Sequence, residues 1–201
     1  GLSAIHKAHL AAALGLDTDR PVLVLTDDDN TANRFAADLR GFSERDIVQL
    51  PSRELVMADV VGVSRGYEQR RLAALDELTE AHFAVASVQA AAQRTMPPEA
   101  LKAAIVSLVT GETAPLDELA QSLTRAGYER CVQVEGTGQF SIRGGILDVF
   151  PPQAEHPYRV EFWDDEIDSI STFDVGSQRR LEQCECLRCL PCMESIPALA
   201  K

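Results

Sequence analysis

In the first half of the chain, short continuous apolar runs are set between longer segments of helical spacing. Residues 4–14 are alanine-rich and predict a helix. Residues 21–26 (Pro-Val-Leu-Val-Leu-Thr) form an unbroken apolar run, the pattern of a parallel strand buried on both faces. Asp27, Asp28 and Asp29 follow, with capping oxygens and negative charge where a helix begins. That helix is expected to reach Arg40 and stop at Gly41. Residues 47–50 predict a second strand, ended by Pro51. Residues 67–78 predict a helix with Leu72, Leu75 and Leu78 at helical spacing. Residues 82–86 predict a third strand, leading into a helix near 88–93. Strand and helix alternate three times, which predicts a parallel α/β layer.

The pattern changes after Met96-Pro97-Pro98, a natural boundary. Residues 102–110 fit a strand or a helix, and their periodicity does not decide. Residues 115–126 predict a helix, with Pro115 near its start, Leu116, Leu119 and Leu123 as its stripe, and Gly127 at its end. Strands are then expected at 128–134, 139–143, 145–150, 158–163 and 166–173, with turns or bulges at Thr137-Gly138 and Gly144-Gly145. Alternation is strict in two of them. Phe140 and Ile142 alternate with Ser141 and Arg143; Val160 and Phe162 alternate with Arg159, Glu161 and Trp163. A small antiparallel sheet results, apolar on one face and carrying two arginines and a tryptophan on the other. Arg and Trp dominate binding hot spots, so this face is read as a partner surface.

Bulk properties narrow the function classes. The chain has 201 residues, 45% of them hydrophobic, enough for one large or two small globular domains. Its net charge of −12 repels a phosphate backbone, so no direct DNA binding is expected from this chain. No apolar run reaches the ~18 residues of a membrane span, and no basic-then-apolar N-terminus suggests a signal peptide. A cytoplasmic location is expected. Five cysteines, an odd number, argue against a disulfide framework. The chain opens inside a motif and stops soon after the sheet, and is expected to be a fragment.

That opening motif is a damaged phosphate loop. A working one reads Gly-x4-Gly-Lys-Ser/Thr. Gly1 and Lys7 fit, but His6 replaces the second glycine and Ala8 replaces the hydroxyl that would hold magnesium. The expectation is a relic that binds no nucleotide. Asp165-Glu166-Ile167-Asp168 imitates the acidic box of nucleotide hydrolases, but it follows an alternating strand rather than a continuous apolar one, so catalysis there is rejected. Asp76-Glu77 and Asp117-Glu118 lie on predicted helices as solvated pairs. His6, His82 and His156 meet no serine or cysteine nucleophile at a recognisable spacing. Cys184, Cys186, Cys189 and Cys192 are spaced as zinc or iron–sulfur ligands can be. Leu181, Leu187 and Leu190 interleave with them as in a strand, so structural cysteines are the first reading and a metal module the alternative. Alternation places Cys184 and Cys186 on one face and Cys189 on the other. The fold class expected is α/β: a degenerate P-loop-like parallel α/β domain over 1–97, a smaller α+β domain with an antiparallel sheet over 98–192, and a tail over 193–201.

Gly127-Tyr128-Glu129-Arg130, Arg143-Gly144-Gly145, Asp148-Val149-Phe150-Pro151, Arg159-Val160-Glu161-Phe162 and Asp165-Glu166-Ile167 carry a resemblance. The stretch 127–173 resembles the UvrA-binding domain shared by UvrB and the transcription-repair coupling factors (Mfd). Residues 1–111 resemble the N-terminal portion of the same family. The short stretch 52–67, with one tyrosine, cannot supply the long tyrosine-rich hairpin of UvrB, and the eroded phosphate loop departs from UvrB as well. Both favour the coupling factors. The resemblance implies a non-catalytic module that recruits UvrA to a stalled RNA polymerase. It also implies masking of the same surface by the C-terminal domain of the full-length protein, whose ATP-driven DNA translocase lies outside this chain. It implies no cofactor. Residues matching Arg143, Arg159 and Trp163 contact UvrA in the family, with Trp163 standing where phenylalanine is more familiar. Arg130, Arg179 and Arg180 are second-rank candidates. A UvrB-like nucleotide-binding fragment remains the alternative enzyme reading.

Overall fold

The computed structural model describes residues 1–53 and 61–194, with side chains from 66 onward in the second stretch. Residues 54–60 of the 52–67 stretch and residues 195–201 of the 193–201 tail lie outside the described residues. The fold is mixed α/β, in two compact units, Gly1–Thr95 and Met96–Lys201.

The first unit runs α1 (Ala4–Thr18), β1 (Val22–Thr26), α2 (Asp29–Arg40), β2 (Ile47–Leu50), α3 (Val61–Glu77), β3 (Phe83–Ser87) and α4 (Val88–Ala92). The strands form a parallel sheet in the order β1-β3-β2. The starts of α2 and α4 are capped by the short polar residues that precede them. The Thr31 amide donates to Asp28 Oδ1 at 2.6 Å, and the Ala90 amide donates to Ser87 Oγ at 3.0 Å. One sheet face packs Phe83 and Val85 on Ala12, Ala32, Ala36 and Leu39. The other packs Val48, Leu50 and Ala86 on Ala74 and Ala90. Where the apolar run 21–26 predicts burial on both faces, β1 is an edge strand and buries one. Val22 and Val24 turn into the first cluster, whereas Leu23 and Leu25 are 62% and 53% exposed.

The second unit begins with α5 (Pro98–Ala104) and β4 (Val106–Val109), which divide the ambiguous stretch 102–110 between a helix and a strand. α6 (Leu116–Arg125) follows, then β5 (Glu129–Arg130), β6 (Gln139–Arg143), β7 (Ile146–Val149), β8 (Tyr158–Trp163), β9 (Glu166–Phe173), β10 (Arg180–Cys184) and β11 (Cys186–Cys189). Six strands form one sheet in the order β10-β9-β8-β7-β6-β5, while β11 pairs with β4. Neighbours are antiparallel except β5 and β6, which are parallel. The predicted strand 128–134 shrinks to two residues. After the Cys131 amide bonds the Phe140 carbonyl, the Val132 carbonyl is taken by the Ser141 hydroxyl instead of by a ladder partner.

The core row across the sheet is Ile142, Leu147, Val160 and Ile170, each directly opposite the next. Leu119 and Leu123 of α6 cover it, as the leucine stripe predicts. Tyr128 is buried beside them and its hydroxyl donates to the Leu190 carbonyl at 2.7 Å. The β6–β7 turn needs its two glycines. Gly144 has φ +61°, and a Cβ on Gly145 would come within 3.0 Å of the Phe162 carbonyl oxygen.

Candidate partner-binding face

The sheet face opposite α6 carries two cross-strand rows. Ser141, Asp148, Arg159 and Ser171 lie opposite one another across β6, β7, β8 and β9, and Arg143, Ile146, Glu161 and Ser169 form the next row. The sequence marks this face as polar, but it is not uniformly wet. Ser141, Asp148 and Ser171 are buried. Within this strip Asp148 and Arg159 satisfy each other, while Ser141 turns its hydroxyl to the Val132 carbonyl.

Asp148 is its centre. Arg159 donates from Nε to Oδ1 at 2.7 Å and from Nη2 to Oδ2 at 2.9 Å, while Arg143 donates from Nη2 to Oδ2 at 2.8 Å. The side chain of Asp148 is 2% exposed, that of Arg159 20% and that of Arg143 50%. Arg159 also donates to Gln178 Oε1 at 3.1 Å and lies over the Phe173 ring, 4.5 Å from its centroid. Its hydrogen bonds to Asp148 hold its guanidinium even more firmly protonated than usual. The two arginines thus form an asymmetric pair. Arg159 is mostly committed within the chain; Arg143 is half open.

In the second row, Glu161 accepts from Ser169 Oγ and from Arg180 Nη2, each at 2.8 Å. The Ser169 hydroxyl, and then Arg180, hold its carboxyl below the usual carboxylate range. Arg180 is therefore tied to Glu161, while Arg130 on β5 and Arg179 ahead of β10 are exposed.

Trp163 ends β8 and is 82% exposed. The register between β8 and β9 shifts between Glu161 and Phe162: Glu161 faces Ser169, but Phe162 faces Ile167. The extra residue, Asp168, is on β9, so alternation along β8 is unbroken. Trp163 therefore shares the face of Arg159 and Glu161, while Phe162 packs against the core. Asp164, with φ +58°, makes the tight turn that follows. Asp148 and its bridging role are absent from the sequence-derived candidates. In the sequence Asp148 stands only within the Asp148-Val149-Phe150-Pro151 motif and as an acidic residue between two core residues, Leu147 and Val149.

The other candidates do not assemble. Residues 4–8 are already helical, and the Lys7 amide bonds the Ser3 carbonyl at 3.1 Å, so they form no phosphate-cradling loop. Gly1 precedes the helix, His6 bonds Ser3 through Nδ1 at 2.8 Å, and Ala8 is fully buried. Asp165-Glu166-Ile167-Asp168 forms the β8–β9 hairpin with Ile167 in the core. His82 bonds the Gly15 carbonyl through Nε2, and His9 packs edge-on against Phe42.

The clustered cysteines are dispersed: Cys184 lies in the six-stranded sheet, Cys186 and Cys189 in the two-stranded one, and Cys192 beyond both. Cys184 ends β10 and Cys186 begins β11, so they do not share one strand face as alternation along a single strand predicts. Cys186 is exposed, whereas Cys189 and Cys192 are buried. Burial pushes the Cys189 thiol up to about 12. Among the described residues no three His, Cys, Asp or Glu side chains are gathered as metal ligands. Brief alkylation of the native chain is expected to label Cys186 and to reach Cys189 and Cys192 only in denaturant, because the thiolate is the nucleophile. Peptide mass spectrometry checks this; native labelling of Cys189 would contradict the burial.

Residues 106–194 match the family model of the UvrB interaction domain. The chain is 34% identical over 200 residues to the transcription-repair-coupling factor of Bacillus subtilis, covering 98% of this chain and 17% of that protein. It is 36% identical over 187 residues to the Mycobacterium tuberculosis factor (88% and 15%) and 32% identical over 176 residues to the Escherichia coli factor (87% and 15%). The chain thus spans less than a fifth of the length of these curated relatives.

Proposed function

Along 98% of its length the chain belongs to the family of the transcription-repair-coupling factors, and from that premise we propose that its second unit is a docking module for UvrA. The observation that carries this is the single face holding an open Arg143, an Arg159 fixed on buried Asp148, and Trp163 at 82% exposure. An exposed aromatic beside guanidinium groups is the chemistry of an interface hot spot. The module brings the nucleotide-excision repair machinery to a stalled RNA polymerase, and does so without catalysis of its own. In the full-length protein the same face packs on the C-terminal domain and is masked until activation. The chain itself does not bind DNA, because its net charge of −12 opposes a phosphate backbone. It acts in the cytoplasm; no described helix is long and apolar enough to cross a membrane.

Calorimetric titration of the purified chain with UvrA is the direct test. Saturable binding at micromolar concentration or below is the expected result. A correctly folded chain that releases no binding heat and does not co-elute with UvrA would sink the proposal.

A further inference from the structure

We infer that Asp148 is a positioning residue of this face: a buried carboxylate that touches no partner and fixes the direction in which both arginines are presented. The inference rests on the reading of the face as a UvrA-binding surface. Asp148 sits in mid-strand between Leu147 and Val149, both in the core, so its backbone cannot shift to follow the arginines. Arg159 reaches it from directly across β8, and Arg143 reaches it diagonally from β6. Three N–H groups from two strands thus converge on two oxygens. Without the carboxylate, two guanidinium groups drawn to one point repel each other and swing apart.

The arrangement also sets the chemistry of the partner. Arg159 spends its fork on Asp148 and Gln178. Arg143 gives Asp148 a single bond, and an arginine carries five donors in a rigid plane. Its remaining edge, held in plane by Asp148, suits a partner carboxylate taken in two parallel hydrogen bonds.

Charge and position make opposite predictions for Asp148→Asn. The change removes a negative charge, so attraction of an acidic partner by net charge alone gives tighter binding. Loss of positioning gives weaker binding. We expect Asp148→Asn to weaken UvrA binding about tenfold, with a smaller effect when Arg143 is already alanine and a full effect when Trp163 is already alanine. Calorimetric titration of the six chains of these two cycles (wild type, three single and two double variants), with a circular-dichroism melt of each, reads all three. Binding by Asp148→Asn equal to or tighter than wild type overturns the inference, as does an undiminished loss in the Arg143→Ala background. If Asp148→Asn does not fold, Phe173→Leu takes its place. It removes the ring under the Arg159 guanidinium and keeps the position apolar, and several-fold weaker binding is expected, with unchanged binding again contrary. Wild-type chain that does not bind overturns the docking function and this inference together. Wild-type binding that Asp148→Asn leaves intact overturns this inference alone.

Discussion

Val160→Asp is expected to unfold the second unit. Val160 is fully buried in the middle strand of the core row, with Leu147 opposite on one side and Ile170 on the other. Removing the isopropyl group forfeits about 1.5–3 kcal/mol of apolar burial. The carboxylate that replaces it enters a cluster of apolar side chains, and the desolvation cost of such a charge is several kcal/mol more. The sum is on the order of 5 kcal/mol or above, comparable with the 5–15 kcal/mol that holds a whole domain. Leu119 and Leu123 on α6 cannot move aside to admit water without opening the rest of the cluster. Circular-dichroism melting and urea titration check this. A cooperative transition at the wild-type midpoint would mean that Val160 does not face the core.

Where one residue type answers to one period, the fold is legible in the sequence. Val160 and Phe162 against Arg159, Glu161 and Trp163 give β8 its two faces correctly, and the leucine stripe of α6 gives its buried side. Residues 102–110 are not legible, because a helix ending at Ala104 and a strand starting at Val106 leave neither period room to repeat. Burial on β1 is misread for a different reason. A run of Val and Leu states what could be buried, while the strand order β1-β3-β2 decides what is. The cysteine segment fails similarly: one strand-like run belongs to two sheets, with the change at Glu185 between Cys184 and Cys186. In the candidate site, Arg143, Arg159 and Trp163 are visible as surplus residues on polar positions. Asp148 is not, since its role requires the register of three strands at once, and a polar residue in an alternating strand reads as solvated. The side on which Trp163 lies also depends on the extra residue being Asp168 on β9; the same irregularity on β8 would have turned the indole into the core.

That placement makes Trp163→Ala the sharpest test of the docking face. The substitution is expected to weaken UvrA binding by about 2–4 kcal/mol, roughly 30-fold to nearly 1,000-fold, while leaving the melting midpoint unchanged. At 82% exposure the indole supports nothing beneath it, so its loss opens no cavity and costs the fold no buried contact. Bound, the same ring offers a large rigid apolar area that loses little conformational entropy on ordering. Asp164, Asp165 and Glu166 follow it at the hairpin, so the indole is the apolar element at that end and charged neighbours cannot substitute for it. Phe162, one residue earlier, is the contrast: it packs against the core, and its truncation acts through stability rather than through the interface. Calorimetry and melting on the same preparations separate the two effects. Unchanged affinity would remove Trp163 from the interface, and a midpoint lowered by several degrees would show that the indole packs on its own chain.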